Sequence, residues 1–335
     1  MHPALLGLVT IVIGVGACVG YFYGANLFLD KVLFPARGPK AGRNINRANM
    51  IRPWVFLFPA LLALGLYLAY PVFETIRLSL SERLPGGRSQ FVGFENYAFM
   101  LGEDKFWEAV RNNILWLIVV PAASTGFGLL AAQLTDRLSW GNIAKSIIFM
   151  PMAISLVGAS VIFKLVYEAR PEDVAQIGIL NHINVEYFGG QVQQWLQVPF
   201  WNNFFLMLVL IWIQTGFAMV ILSAALRGIP EETVEAAIVD GANPFQIFFK
   251  IKVPQIMGTI VVVWTTITIA TLKVFDIVFA MTNGQWETQV LANYMYDKLF
   301  RANDWGVGSA SAMVIMLMVT PILVWNVYNA RKEMR

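Results

Sequence analysis

RGIPEETVEAAIVDGANPFQIFFKIKVPQ, residues 227–255, is a polar stretch lying between two long apolar runs. Pro230 suits the first turn of a helix, where its missing N–H is no loss, and Glu231, Glu232 and Glu235 follow where a helix N-terminus favours negative charge. Gly241 supplies the left-handed residue that stops a helix. A second short helix restarts with Asn243 as cap and Pro244 as first residue. It carries Lys250 and Lys252 near its C-terminus and is expected to end at Pro254. The stretch reads as a compact helix-turn-helix at a membrane surface.

Composition supports that setting. Of 335 residues, 57% are hydrophobic and 13% charged, with a mean hydropathy of +0.61, more apolar side chain than a soluble domain can hide. The net charge of +3 is explained by cytoplasmic loops without any nucleic-acid partner. Cys18, the single cysteine, excludes an internal disulfide framework and a cysteine metal site, and His2 and His182 give little support to a histidine one.

Apolar runs at 5–23, 53–72, 114–134, 146–167, 203–226, 257–280 and 307–328 read as seven spans, each close to the roughly 20 residues needed to cross a bilayer. The first lacks the basic n-region of a cleaved signal peptide and reads as an extra N-terminal transmembrane helix, 1–25. Its Gly16, Gly20 and Gly24 fall on one face, a seam expected to pack within the subunit. A basic cytoplasmic linker occupies 26–52, a transmembrane domain 53–330 and a cytoplasmic tail 331–335. Lys and Arg set the orientation: 14 lie in the segments assigned inside (26–52, 135–145, 226–256, 331–335) and 8 in three longer outside loops.

Glu235-Ala236-Ala237, followed at fixed spacing by Gly241, Ile251 and Pro254, resembles the EAA loop of permease subunits of bacterial ATP-binding-cassette importers. Val253 stands where that loop usually has Leu. Gly228-Ile229-Pro230-Glu231-Glu232, Asp240-Gly241-Ala242, Lys273-Val274-Phe275-Asp276 and Met281-Thr282-Asn283-Gly284 resemble the carbohydrate-uptake, maltose-permease type of that family, over residues 50–330. The resemblance implies an all-α polytopic inner-membrane protein whose cytoplasmic loop docks on a separate ATPase through Glu235, Ala236, Ala237, Asp240, Gly241, Ile251 and Pro254. It also implies a second permease subunit forming a heterodimer, two ATPase subunits that carry the ATP and Mg, a periplasmic solute-binding protein, and no cofactor on this chain. The substrate it implies is a sugar, a di- or oligosaccharide such as an α-glucoside, with a polyol or glycerol phosphate as the alternative.

No GxxxxGK[ST], HExxH or GxSxG occurs, so energy for transport must come from a partner rather than from an activity of this chain. An ion-coupled carrier would call for buried carboxylate relays and internal repeats, and only Asp276 is a central candidate. Lys273 and Asp276, three apart, either neutralise one another on a helix face or border a water-filled route. Lys164 reads as snorkelling to the interface. Threonines in spans usually bond to their own helix, yet sugars need ring faces and a few oriented polar groups. Maltose-type permeases contact substrate at positions that fall near Leu210, Gln214, Phe217, Thr271 and Val274. The candidate route is therefore Trp212, Gln214, Phe217, Thr271, Lys273 and Asp276.

Overall fold

A computed structural model describes residues 3–39, 41–84, 88–136 and 138–333, with backbone only at 323, 326, 327 and 329–333. Lys40, Arg137 and Arg335, and the side chains of Arg331 and Lys332, lie outside the described residues, so that part of the charge asymmetry rests on sequence alone. The chain forms two compact units divided at Glu74 and Thr75.

The first unit is a helical hairpin. Helix α1 (Pro3–Leu27) runs on as a π-turn (Phe28–Leu33), and α2 (Ala41–Leu64) follows. Tyr21 donates to the Val55 carbonyl at 2.7 Å, and the Phe22 and Phe56 rings meet edge to face at 5.4 Å. Near the turn Arg52 pairs with Asp30 at 2.6 Å. Two expectations change here. The second span is longer than 53–72, because the helical run Ala41–Ser79 continues through a π segment at Gly65–Ala69 and α3 (Tyr70–Ser79) and absorbs part of the basic linker. Within this unit a Cβ at Gly16, Gly20 or Gly24 would meet nothing within 4 Å, so the hairpin does not pack through that seam.

The second unit takes in the end of α3 from Thr75 and continues with a two-stranded hairpin, Ser81–Arg83 paired with Ser89–Phe91, and α4 (Glu95–Leu101). Its centre is the crossing of α5 (Asp104–Thr135) with α9 (Trp201–Arg227), where Trp116, Val120, Leu206, Met219 and Leu222 are sealed from solvent. Between them the fourth span is broken. Helix α6 (Gly141–Phe149) ends in a 3-10 turn at Met150–Ala153, and α7 (Leu156–Val166) leaves at 103°. Pro151 marks the turn that ends α6, and the Ser155 hydroxyl accepts from the Gly158 N–H at 3.1 Å to restart the helix. Close to the bend, Gly216 lets the Ile148 carbonyl approach to 2.6 Å from where a Cβ would stand.

Helix α8 (Ile179–Glu186) lies in the loop before α9, and α10 to α12 form the polar stretch described below. Helix α13 (Met257–Leu272) packs against α5 and stops at Lys273, after which α14 (Asp276–Met281), α15 (Leu291–Tyr296) and α16 (Trp305–Glu333) complete the chain. The expected sixth span, 257–280, is thus interrupted at Lys273–Phe275. Five described helices are long and apolar enough to cross a membrane, or seven when each bent pair counts as one span.

Candidate functional site

Helix α10 (Glu231–Val239) opens with Pro230 as its cap residue and Glu231 and Glu232 in its first turn. It ends in a Schellman motif: Gly241 N–H donates to the Ile238 carbonyl at 3.0 Å and Ala242 N–H to the Ala237 carbonyl at 2.9 Å. Gly241 holds the left-handed conformation this requires, φ +79°. Asn243 then forms a capping box with Gln246, its side chain accepting at 2.8 Å and its N–H donating at 2.9 Å, and Pro244 opens α11 (Pro244–Gln246). A π-turn (Ile247–Lys252) carries the two lysines into α12 (Val253–Gln255). Pro254 therefore lies inside the last turn instead of ending it, and the chain bends by 73° into α13.

Burial divides the candidate coupling residues. Glu235, Ala236, Asp240, Gly241 and Pro254 are exposed, Ile251 is half-buried, and Ala237 is buried within this chain. Val234, Ala237 and Ile238, which helical spacing places on one face, are split accordingly. Val234 and Ala237 turn inward, while Ile238, Val239 (87% exposed) and Phe245 face out.

Behind α10 is a cleft of about 590 Å³ lined by Asp136, Arg227, Glu231, Val234, Glu235 and Lys252, among others. Asp136 follows the C-terminus of α5. Its carboxylate accepts from the Ser223 hydroxyl at 3.0 Å, from Arg227 Nε at 3.0 Å and from Lys145 Nζ. Partial burial alone would raise its pKa, but the bonds from Lys145, Ser223 and Arg227 prevail and hold the carboxyl below its usual range. Nothing in the sequence pattern marked this residue.

The substrate-route candidates are distributed over two places. On α9, Trp212 is exposed and meets Phe163 edge to face at 5.4 Å, and Gln214 and Phe217 are half-buried. Thr271 is fully buried, with its hydroxyl donating to the Ile267 carbonyl at 2.8 Å, so it offers no open hydroxyl. Thr265, Thr266 and Thr268 bond back to α13 in the same way. Lys273 is exposed and Asp276 half-buried, and among the described residues they form no ion pair, because the helix breaks between them. Lys164 donates to the Ala280 carbonyl at 3.2 Å, joining α7 to α14 instead of reaching free to the interface.

Sequence reasoning also missed a clamp on the α14–α15 loop. Asn112 donates to the Glu287 and Gln289 carbonyls at 2.9 and 2.8 Å, Asn202 to the Trp286 carbonyl at 2.5 Å, and Asn113 accepts from Leu291 N–H at 2.8 Å. These buried amides fix a loop in which Asn283, Trp286 and Glu287 have φ of 55°, 54° and 60°. The only hint in the sequence was the paired asparagines opening the two spans.

Residues 124–333 match the family described as binding-protein-dependent transport system inner membrane component. The chain belongs to that family. The permease is 60% identical over 337 residues to the alpha-glucoside transport system permease protein AglF of Rhizobium meliloti (strain 1021), covering 99% of each chain. It is 46% identical to the osmoprotective compounds uptake permease protein GgtC of Synechocystis sp., over 84% of this permease and 100% of that one. Among solved structures, a bacterial ABC transporter involved in the import of alginate shares its fold, with a TM-score of 0.72 at 19% identity over 88% of this permease and 99% of that chain. The permease is thus an all-α, multi-pass inner-membrane protein of the ABC importer type.

Proposed function

We propose that this permease carries a di- or oligosaccharide of the α-glucoside class into the cell as one membrane half of an ATP-driven importer. The observation that supports the substrate class most is the 60% identity, across 99% of both chains, to the alpha-glucoside permease AglF. A second permease subunit completes the route as a heterodimer, a periplasmic solute-binding protein delivers the sugar, and two ATPase subunits hold ATP and Mg. Supporting the coupling role, α10 and α11 present Glu235, Ala236, Asp240 and Gly241 with Ile238, Val239 and Phe245 as a mixed carboxylate and apolar surface. A groove in the ATPase with apolar walls and a basic rim fits that chemistry. Trp212, Gln214 and Phe217 on α9, with Lys273 and Asp276 beyond the break in α13, are the groups we assign to the sugar route.

The test is uptake of labelled maltose, trehalose and sucrose by cells lacking this permease and by the same cells with it restored. Loss and recovery for an α-glucoside, with glycerol phosphate and polyols unaffected, supports the assignment; the reverse pattern overturns it.

A further inference from the structure

The Asp136 carboxylate touches neither the sugar route nor the exposed surface of α10, yet one oxygen gathers donors from two helices. Lys145 of α6 reaches Oδ1, and so do Ser223 and Arg227 of α9, each at 3.0 Å; Lys145 Nζ also donates to Ser223 Oγ at 2.6 Å. The Asp136 backbone N–H closes α5 on the Ala132 carbonyl at 3.1 Å. Isolated surface ion pairs contribute little. Here, however, the Lys145 and Asp136 side chains are only 13% and 19% exposed, and their bonds are charge-assisted. Removing the carboxylate would leave the mostly buried Lys145 ammonium with Ser223 alone.

Position gives the cluster its meaning. Arg227 is the last residue of α9, and only 228–230 separate it from α10. Asp136 and Arg227 line the same cleft as Glu231, Val234 and Glu235. A displacement of α10 can either be absorbed by rotation in Gly228-Ile229-Pro230 or be passed into α9, and from there into α5 and α6 through the carboxylate.

We infer that Asp136 is a positioning residue for coupling, tying the cytoplasmic ends of α5 and α6 to α9 so that movement of the coupling helix is delivered to the membrane helices. This rests on the assignment of residues 227–255 as the coupling element. A tie that served folding alone would lower stability and leave unchanged the amount of sugar moved per ATP.

The test uses the whole transporter in lipid vesicles, with its partner subunits and binding protein, and labelled maltose or whichever α-glucoside the uptake assay selects. Sugar moved per ATP hydrolysed and basal ATP hydrolysis are both read. Asp136→Asn is expected to assemble and hydrolyse ATP while sugar per ATP falls about tenfold, what one lost bond to a charged group is worth. Asp136→Glu, which keeps the carboxylate for Lys145, Ser223 and Arg227, should retain more of it. Unchanged sugar per ATP in an assembled Asp136→Asn transporter overturns the inference. Should that variant fail to assemble, Ser223→Ala with Arg227→Gln, which removes both α9 donors and keeps the Lys145–Asp136 pair, is read instead, and normal coupling there overturns it equally. Gly241→Asp runs alongside. If it uncouples while the Asp136 variants do not, this inference alone fails; if it too is normal, the coupling assignment itself has failed.

Discussion

Gly128 of α5 and Ala218 of α9 meet at the point where the two central helices cross: a Cβ at Gly128 would stand 2.4 Å from the Ala218 Cβ and 2.9 Å from Met219 N. No rotamer relieves a clash with backbone. Gly128→Ala should therefore force the helices apart, at a cost of about 1–3 kcal/mol. Thermal unfolding of the detergent-solubilised permease checks this, with Gly126→Ala as control. Gly126 has nothing within 4 Å of its Cβ position, so alanine there should leave Tm unchanged or raise it.

Much of this architecture was legible because apolar runs and turn chemistry are local. The helix stop at Gly241 and the cap at Asn243 follow from residue types at fixed offsets, and both are present. The breaks in the fourth and sixth spans were not visible, since average hydropathy is blind to a Ser155 cap or a Lys273 that ends a helix in the middle of a run. The Lys273–Asp276 pairing failed for that reason: spacing of three places residues together only if the helix continues. The Asp136 cluster and the Asn112 and Asn202 clamps join residues separated by 9 to 177 positions, which no local pattern encodes.

The loop orientation can be tested at Lys250, which is exposed and lies outside the surface assigned to docking. With Cys18 replaced by Ser, Lys250→Cys should resist a membrane-impermeant maleimide in intact cells and react once the cells are opened. Labelling of intact cells would reverse the topology.

Gln214 and Thr271 should behave differently despite sharing a predicted site. The Thr271 hydroxyl is buried and already bonded to Ile267, whereas Gln214 is half-buried. Gln214→Ala is expected to weaken sugar transport by about 1–3 kcal/mol, seen as a raised KM for uptake. Thr271→Val should leave KM within about twofold, because no ligand contact is removed, only a bond within the helix. A large effect of Thr271→Val with none for Gln214→Ala would move the route to α13.

Asp136 gives a pH signature in stability. Its folded pKa lies below the unfolded value of about 3.9, so its contribution is fully present above that value and is lost as pH falls through the folded pKa. The difference in stability between wild type and Asp136→Asn, about 1–3 kcal/mol for bonds to a charged group, should be flat from pH 8 to about 5 and shrink below about 4. Denaturant unfolding across that range checks it; a difference that changes between pH 6 and 8 would implicate another group.

Gly241 offers a way to separate backbone strain from surface contact. Its φ of +79° disfavours any residue with a Cβ, yet nothing lies within 4 Å of where that Cβ would be, so no steric clash within the chain follows from substitution. Alanine then measures strain alone, about 1–2 kcal/mol. Asparagine tolerates the left-handed region better, and aspartate has the same shape and nearly the same tolerance but adds a charge. On the free permease, Gly241→Asn and Gly241→Asp should unfold at similar temperatures. In the assembled transporter they should part: asparagine keeps most uptake, while aspartate, buried against the ATPase without a partner charge, releases the ATPase or leaves it hydrolysing ATP without moving sugar. The comparison of these two variants isolates the contact, because strain is common to both. Equal and normal uptake by the two, with the ATPase firmly bound, would show that this loop is not the coupling element.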